Sequence, residues 1–279
     1  MNSKTIVTTL KGLNVHRLLR PIKPLLPNSL ISWVQKNTVY KLVLTEELKP
    51  EYKRACKYLS ETAGIENIGD YLEFGVSGGT SLNCMHEVLQ ELRYSSVRLF
   101  GFDSFEGLPA YASNEDDGVW EPGQFKSEYH VTHRFLDKKG VDWQRTFLIK
   151  GWFSDTLNQE LISKHQIDKA SLIMIDCDIY SASKEALSFC APLIKDISII
   201  FFDDWGTFKS DEKNVGEKRA FDEFLQEHTH LKARSFGGYN WYGRPYGKIF
   251  LVSNELFLGN SSLKELLTEF ELYQPLAGD

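Results

Sequence analysis

Two short segments concentrate acidic side chains where they can do chemistry: Met174-Ile175-Asp176-Cys177-Asp178-Ile179-Tyr180 and Phe201-Phe202-Asp203-Asp204-Trp205. Each closes an apolar, β-rich run, so Asp176, Asp203 and Asp204 fall at the ends of two expected strands. If those strands are parallel neighbours, the three carboxylates arrive at one sheet edge. Like charges gathered there are costly unless a cation neutralises them. Oxygen ligands of this hardness suit Mg²⁺, Mn²⁺ or Ca²⁺ rather than zinc. Each aspartate taken singly can instead cap the helix after it, but capping explains all three together poorly.

A second constellation precedes these. The run Glu73-Phe74-Gly75-Val76-Ser77-Gly78-Gly79-Thr80-Ser81 reads as a strand end, a glycine turn and a helix start. Bare backbone there admits a ligand closely, and a helix N-terminus offers unpaired N–H groups. The spacing is not GxGxxG, which argues against a nicotinamide dehydrogenase, and a merely tight turn is the plain alternative. About thirty residues beyond Gly75, Phe102-Asp103-Ser104-Phe105 ends another strand. An acidic side chain at that place can accept hydrogen bonds from ribose hydroxyls. A turn or cap aspartate is the competing explanation.

These residues need a scaffold that aligns strand ends. From residue 70 onward, short apolar runs near 70–75, 97–102, 146–150, 171–176 and 197–203 alternate with helix-like stretches at Ser81–Arg93, Ser181–Ala191 and Gly216–Gln226. That alternation predicts an α/β fold, a doubly wound parallel sheet with helices on both faces. Right-handed crossovers then bring the carboxyl ends of the strands to one edge. Residues 41–68 read as one or two helices covering the sheet. Residues 106–135, rich in Gly, Pro, Asn and Asp, read as a lid, and Leu231–Phe236 with Tyr246–Val252 as closing strands. The expected division is an N-terminal helical arm or cap over 1–68 and a ligand-binding domain over 69–279.

Bulk properties narrow the function. With 279 residues, 42% hydrophobic and 25% charged, the chain can bury the core of one soluble catalytic domain. A net charge of −6 argues against a nucleic-acid partner. Cys56, Cys84, Cys177 and Cys190 form no CxxC pair, as expected of buried thiols in a reducing cytoplasm. No run is apolar enough for a transmembrane helix, and Pro21, Pro24 and Pro27 interrupt any secretory h-region. Residues 1–40 hold Lys4, Lys11, Arg17, Arg20, Lys23 and Lys36 and no acid, leaving about −12 on the rest, the difference between −6 and +6. Such an arm can touch an anionic membrane surface as a peripheral contact or belong to a transit peptide. A cap or homo-oligomer contact with solvated cations is the simpler reading.

The chain resembles the macrocin and mycinamicin sugar O-methyltransferases and their relatives in bacterial glycan and natural-product clusters. The resemblance rests on Glu73–Ser81, Gly101–Pro109, Gly151–Leu157, Asp176–Ser183, Phe202–Gly206 and Gly216–Phe224, in that order. It implies the Rossmann-like class I methyltransferase fold and S-adenosylmethionine as cofactor. Glu73, Gly75, Val76, Gly79, Thr80 and Ser81 would form the donor loop, with Asp103 and Ser104 at the ribose and Gly151, Trp152 and Phe153 near the adenine. It further implies Mg²⁺, or Mn²⁺, on Asp176, Asp203 and Asp204. The general base would be Asp176 or Asp178, Asp176 being favoured by its place in the motif.

The acceptor implied is a small molecule or glycan, specifically a sugar hydroxyl. Metal-dependent catechol methyltransferases place carboxylates similarly, but their lysine after the first ligand has no counterpart in Asp176-Cys177-Asp178-Ile179. A DxD glycosyltransferase would not need the glycine loop with Asp103, and an idle scaffold would not need three carboxylates. His130 and His133, in HxxH spacing, read as surface histidines for want of a third ligand. Tyr239, Trp241, Tyr242 and Tyr246 can stack on an acceptor or pack the sheet edge.

Overall fold

In a computed structural model of the chain, the described residues are 45–241, 244–257 and 267–276, with only the backbone described at 241, 244 and 245. The basic arm and the side chains of Trp241 and Tyr242 therefore lie outside the described residues. The helices are α1 (Thr45–Ala63), α2 (Thr80–Leu92), α3 (Tyr129–Lys138), α4 (Phe153–Thr156), α5 (Gln159–His165), α6 (Tyr180–Cys190), α7 (Ser210–Lys213) and α8 (Gly216–Glu227). The strands are β1 (Asp70–Phe74), β2 (Leu99–Asp103), β3 (Thr146–Lys150), β4 (Ala170–Ile175), β5 (Ile197–Phe202), β6 (Leu231–Trp241) and β7 (Arg244–Asn254).

Among the described residues, the seven strands form one sheet in the order β3-β2-β1-β4-β5-β7-β6. β1 to β5 pair in parallel, whereas β7 joins β5 and β6 antiparallel. Successive strand residues face opposite sides. Tyr71, Leu99, Leu172, Met174, Ile199 and Phe201 pack in one layer with α1 and α2. Leu72, Phe74, Phe100, Phe102, Ile173, Ile175, Ile200 and Phe202 pack in the other, with α6 and α8. Each large apolar side chain so buried contributes about 1.5–3 kcal/mol. In α1 the buried residues Leu48, Tyr52, Ala55, Cys56 and Leu59 keep helical spacing and make one stripe. No helix among the described residues is long and apolar enough to cross a membrane.

The strand ends extend the ladder by one residue each. Gly75 N donates to Phe102 O at 2.9 Å, Asp176 N to Phe74 O at 2.9 Å, Asp203 N to Ile175 O at 3.1 Å and Gly151 N to Asp103 O at 3.0 Å. Asp103, Gly75, Asp176 and Asp203 therefore stand in one row along the carboxyl edge. The row crosses the point between β1 and β4 where the strand order reverses, the usual place for ligands in such sheets.

Two sequence expectations need correction. The closing strands extend beyond Leu231–Phe236 and Tyr246–Val252 through the glycine- and aromatic-rich segment, which is strand rather than connection. The span 106–135 is not an open lid throughout, because residues 129–135 belong to α3. That helix begins after Glu128 with no side-chain cap, so no start signal marks it. The preceding loop carries short 3₁₀ turns at Ala112–Asn114 and Asp116–Gly118, and Ala112, Trp120 and Ile179 form a small core beneath it.

Candidate active site

Asp176, Asp203 and Asp204 converge at the ends of β4 and β5, each offering a carboxylate oxygen so that all three lie within 4.8 Å of one another. Burial raises the Asp176 carboxyl well above the ordinary range, and repulsion from Asp203, Asp204 and Asp178 adds to it. Burial raises Asp204 as well, against hydrogen bonds involving Thr207 and Asp178. Asp178 adopts a left-handed backbone, φ 66°, which turns its side chain toward Asp204. Among the described residues no lysine or arginine pairs with Asp176 or Asp204.

Two residues outside the expected set brace this cluster. Tyr239 Oη donates to Asp203 Oδ1 at 2.7 Å from β6. Glu217, 1% exposed at the start of α8, accepts from Asp204 N at 3.0 Å through Oε2, and its Oε1 is buried without a hydrogen-bond partner. Burial raises the Glu217 carboxyl, as do Asp204 and Asp203. Neither contact has a local signal: Tyr239 lies 36 positions from Asp203, and Glu217 lies 13 positions from Asp204.

The glycine loop abuts the cluster. Gly75 has φ 95°, and a β-carbon there would collide with the Asp176 carbonyl, so a glycine is required where β1 passes β4. Gly79, φ 78°, precedes α2, and Thr80 follows with its Oγ1 buried and unpartnered. Three residues expected to line the donor are buried around the base of the loop. Val76 is 2% exposed and packs in the core. Glu73 is fully buried, accepting from Tyr71 Oη at 2.5 Å and Ser81 Oγ at 2.7 Å, while Tyr52 Oη pairs with Tyr71 Oη at 2.8 Å. Burial pushes the Glu73 carboxyl up to about 8 despite those hydrogen bonds. Glu73 and the side chains of Val76 and Ser81 support the loop from beneath.

Asp103 fastens the loop, accepting from Ser77 N at 2.7 Å and Phe105 N at 2.5 Å. Ser104 closes its own turn, accepting from Glu106 N at 3.1 Å and donating to Gly107 O at 3.3 Å. Past β3, Trp152 is 40% exposed, whereas Phe153 packs edge-on against Phe74 with ring centres 5.8 Å apart. A cleft of about 600 Å³ opens beside it, lined by Phe153, Leu157, Tyr180, Lys184 and Phe189 among others.

The loop of residues 107–125 is tied to this edge. Asp116 accepts from Tyr180 N at 2.9 Å and Gly216 N at 2.8 Å, and Glu115 accepts from Ser181 N at 3.0 Å. His130 is exposed and His133 stacks on Trp143 at 4.1 Å. Of the aromatic segment, Tyr239 is buried and directed to Asp203 rather than open for stacking, and Tyr246 is half-buried.

The family model of the macrocin-O-methyltransferases (TylF) matches residues 54–232. The 8-demethyl-8-(2,3-dimethoxy-alpha-L-rhamnosyl)-tetracenomycin-C 4'-O-methyltransferase of Streptomyces olivaceus is 25% identical over 156 residues, 53% of this chain and 58% of its own. The demethyldecarbamoylnovobiocin O-methyltransferase of Streptomyces niveus is 26% identical over 166 residues, 57% of this chain and 61% of its own. The chain thus spans about three-fifths of the length of these curated relatives. Among solved structures, the O-methyltransferase NovP superimposes with a TM-score of 0.58 at 16% identity, covering 73% of this chain and 78% of its own. The calicheamicin methyltransferase CalS11 does so with a TM-score of 0.56 at 20% identity, covering 92% and 91%. These superpositions establish the Rossmann-like α/β fold of class I O-methyltransferases. The matched residues include the glycine loop and every strand-end aspartate described above, and the chain belongs to the macrocin-O-methyltransferase (TylF) family.

Proposed function

We propose that the chain is an S-adenosylmethionine-dependent O-methyltransferase acting on a hydroxyl of a sugar or glycosylated natural product, with Mg²⁺ or Mn²⁺ held by Asp176, Asp203 and Asp204. The supporting observation is the convergence, at one sheet edge of a TylF-family chain, of a bare glycine loop and a cluster of three carboxylates. The all-oxygen donor set fits a hard divalent cation. A rhamnosyl group in the name of one relative supports a sugar-bearing acceptor.

S-adenosylmethionine supplies a methyl group already activated on sulfonium, so the protein's work is to align an acceptor oxygen and make it nucleophilic. A divalent cation, when bound, supplies charge that lowers the pKa of a coordinated hydroxyl. In this reading the α2 N-terminus with Thr80 Oγ1 receives the donor's carboxylate. Asp103 accepts from the ribose hydroxyls and Trp152 covers the adenine. Asp176 takes the acceptor proton, with Asp178 the alternative. The loop tied down by Asp116 excludes water from a bound glycoside.

A labelled-methyl assay offering deoxysugar glycosides beside catechol and caffeoyl acceptors tests this. Label should pass to the glycosides in Mg²⁺ and not in EDTA. Asp204→Asn should bind donor normally yet lose at least about 100-fold in turnover, as expected when a charge-stabilising group is removed. Methylation of the phenols alone would refute the sugar acceptor, and full activity in excess chelator would refute the metal.

A further inference from the structure

We propose that Tyr239 is a positioning residue for Asp203, reaching it across β7 because Gly247 leaves that row bare; this rests on the reading of the three aspartates as a divalent-cation site. Tyr239 stands on β6, the last strand in the sheet order of the described residues, yet is only 5% exposed. The register explains why. Tyr239 pairs with Gly247 on β7, and Phe202 of β5 pairs with Lys248, so Asp203 lies one step on, level with Gly247. Tyr239, Gly247 and Asp203 therefore form one transverse row over three neighbouring strands.

Neighbouring strands lie about 4.8 Å apart, so a side chain on the middle strand would block any contact between the outer two. Gly247 has none, and a β-carbon there would overlap the Tyr239 ring. The ring lies over that bare position and its hydroxyl donates to Asp203 Oδ1 at 2.7 Å. Register shifts on either side of this stretch, between Ser235 and Gly237 and between Tyr239 and Trp241, give β6 the local bend of a bulged strand.

A carboxylate oxygen has two lone-pair sites, so accepting this hydrogen bond leaves ligand capacity while stopping rotation of the carboxylate plane. Partners of this kind orient ligands, and their loss typically costs about 10- to 100-fold in metal affinity or activity. A phenylalanine would fill the same space and bury the same ring. The hydroxyl is thus the part that packing does not explain.

The test is direct titration with Mn²⁺, read by the electron paramagnetic resonance of the free ion, alongside calorimetry with S-adenosylmethionine. For Tyr239→Phe, Mn²⁺ affinity should fall about 10- to 100-fold while donor affinity is unchanged, with turnover recovering at high Mn²⁺. Gly247→Ala, which displaces the ring, should do the same. In an Asp203→Asn background, Tyr239→Phe should add no further loss. Unchanged Mn²⁺ affinity in Tyr239→Phe, when Asp203→Asn weakens binding, would overturn the inference and leave the cation site standing. So would parallel loss of donor and metal affinity, which would mark Tyr239 as sheet packing. Absence of Mn²⁺ binding by the unmodified chain would remove the cation site itself and the inference with it.

Discussion

Glu73 shows how one buried group can couple this site to pH. Its carboxyl is enclosed by Tyr71 and Ser81, and burial pushes it up to about 8 from the ordinary 4.5. The folded protein then holds a proton that the unfolded chain releases near 4.5. The contribution of this group to stability is full below that value, declines as pH rises, and is lost as pH passes about 8. Glu73→Gln, neutral and of the same shape, should flatten the difference. In urea midpoints measured between pH 5 and 9, the variant should gain on the parent as pH rises, and parallel profiles would refute the assignment. Asp176, Asp203 and Asp204 were legible in the sequence because each closes an apolar strand. The burial of Glu73 against Tyr71 and Ser81 was not legible, because its motif position says nothing about what encloses the side chain. Tyr239 was read only as a stacking or packing residue, because its contact with Asp203 depends on register across three strands and on a glycine in the middle one.

At the scale of elements, α6 and α8 both begin without a side-chain cap of their own, at Ile179 and Val215. Asp116 supplies the missing acceptor from a distant loop, one oxygen to each helix, where the helix dipoles also favour a negative charge. Losing a cap costs about 1 kcal/mol, so Asp116→Ala, which frees two N–H groups, should lower stability by about 1–3 kcal/mol. It should also open residues 107–125 to protease, since Glu115 and the Asp117–Lys213 ion pair at 2.8 Å would be left to hold them. Unchanged urea stability together with unchanged cleavage would show the contacts to be incidental. The five parallel strands were readable within about two residues because strands covered on both faces are continuous apolar runs. The tie made by Asp116 was not, because a capping residue some sixty to a hundred positions away carries no local signal, and α3 falls inside the expected lid for want of a marked start.

In the whole molecule, the two helical layers press on a sheet whose strand order reverses between β1 and β4, and the glycine loop and the aspartate cluster meet beside that reversal. The apolar faces of both layers fix the row in which Asp103, Gly75, Asp176 and Asp203 stand. The alternation of apolar runs announced this architecture, whereas the antiparallel β6–β7 pair, which reaches back to Asp203, was foreseen only as closing strands. Calorimetric titration of S-adenosylmethionine into the purified chain is the decisive experiment for the donor site. The intact chain should bind at one site, Asp204→Asn should bind equally, and Asp103→Ala should bind about 10- to 100-fold more weakly, as loss of a hydrogen bond to a charged group worth about 1.5–3 kcal/mol requires. No binding by the intact chain, or undiminished binding by Asp103→Ala, would overturn the assignment.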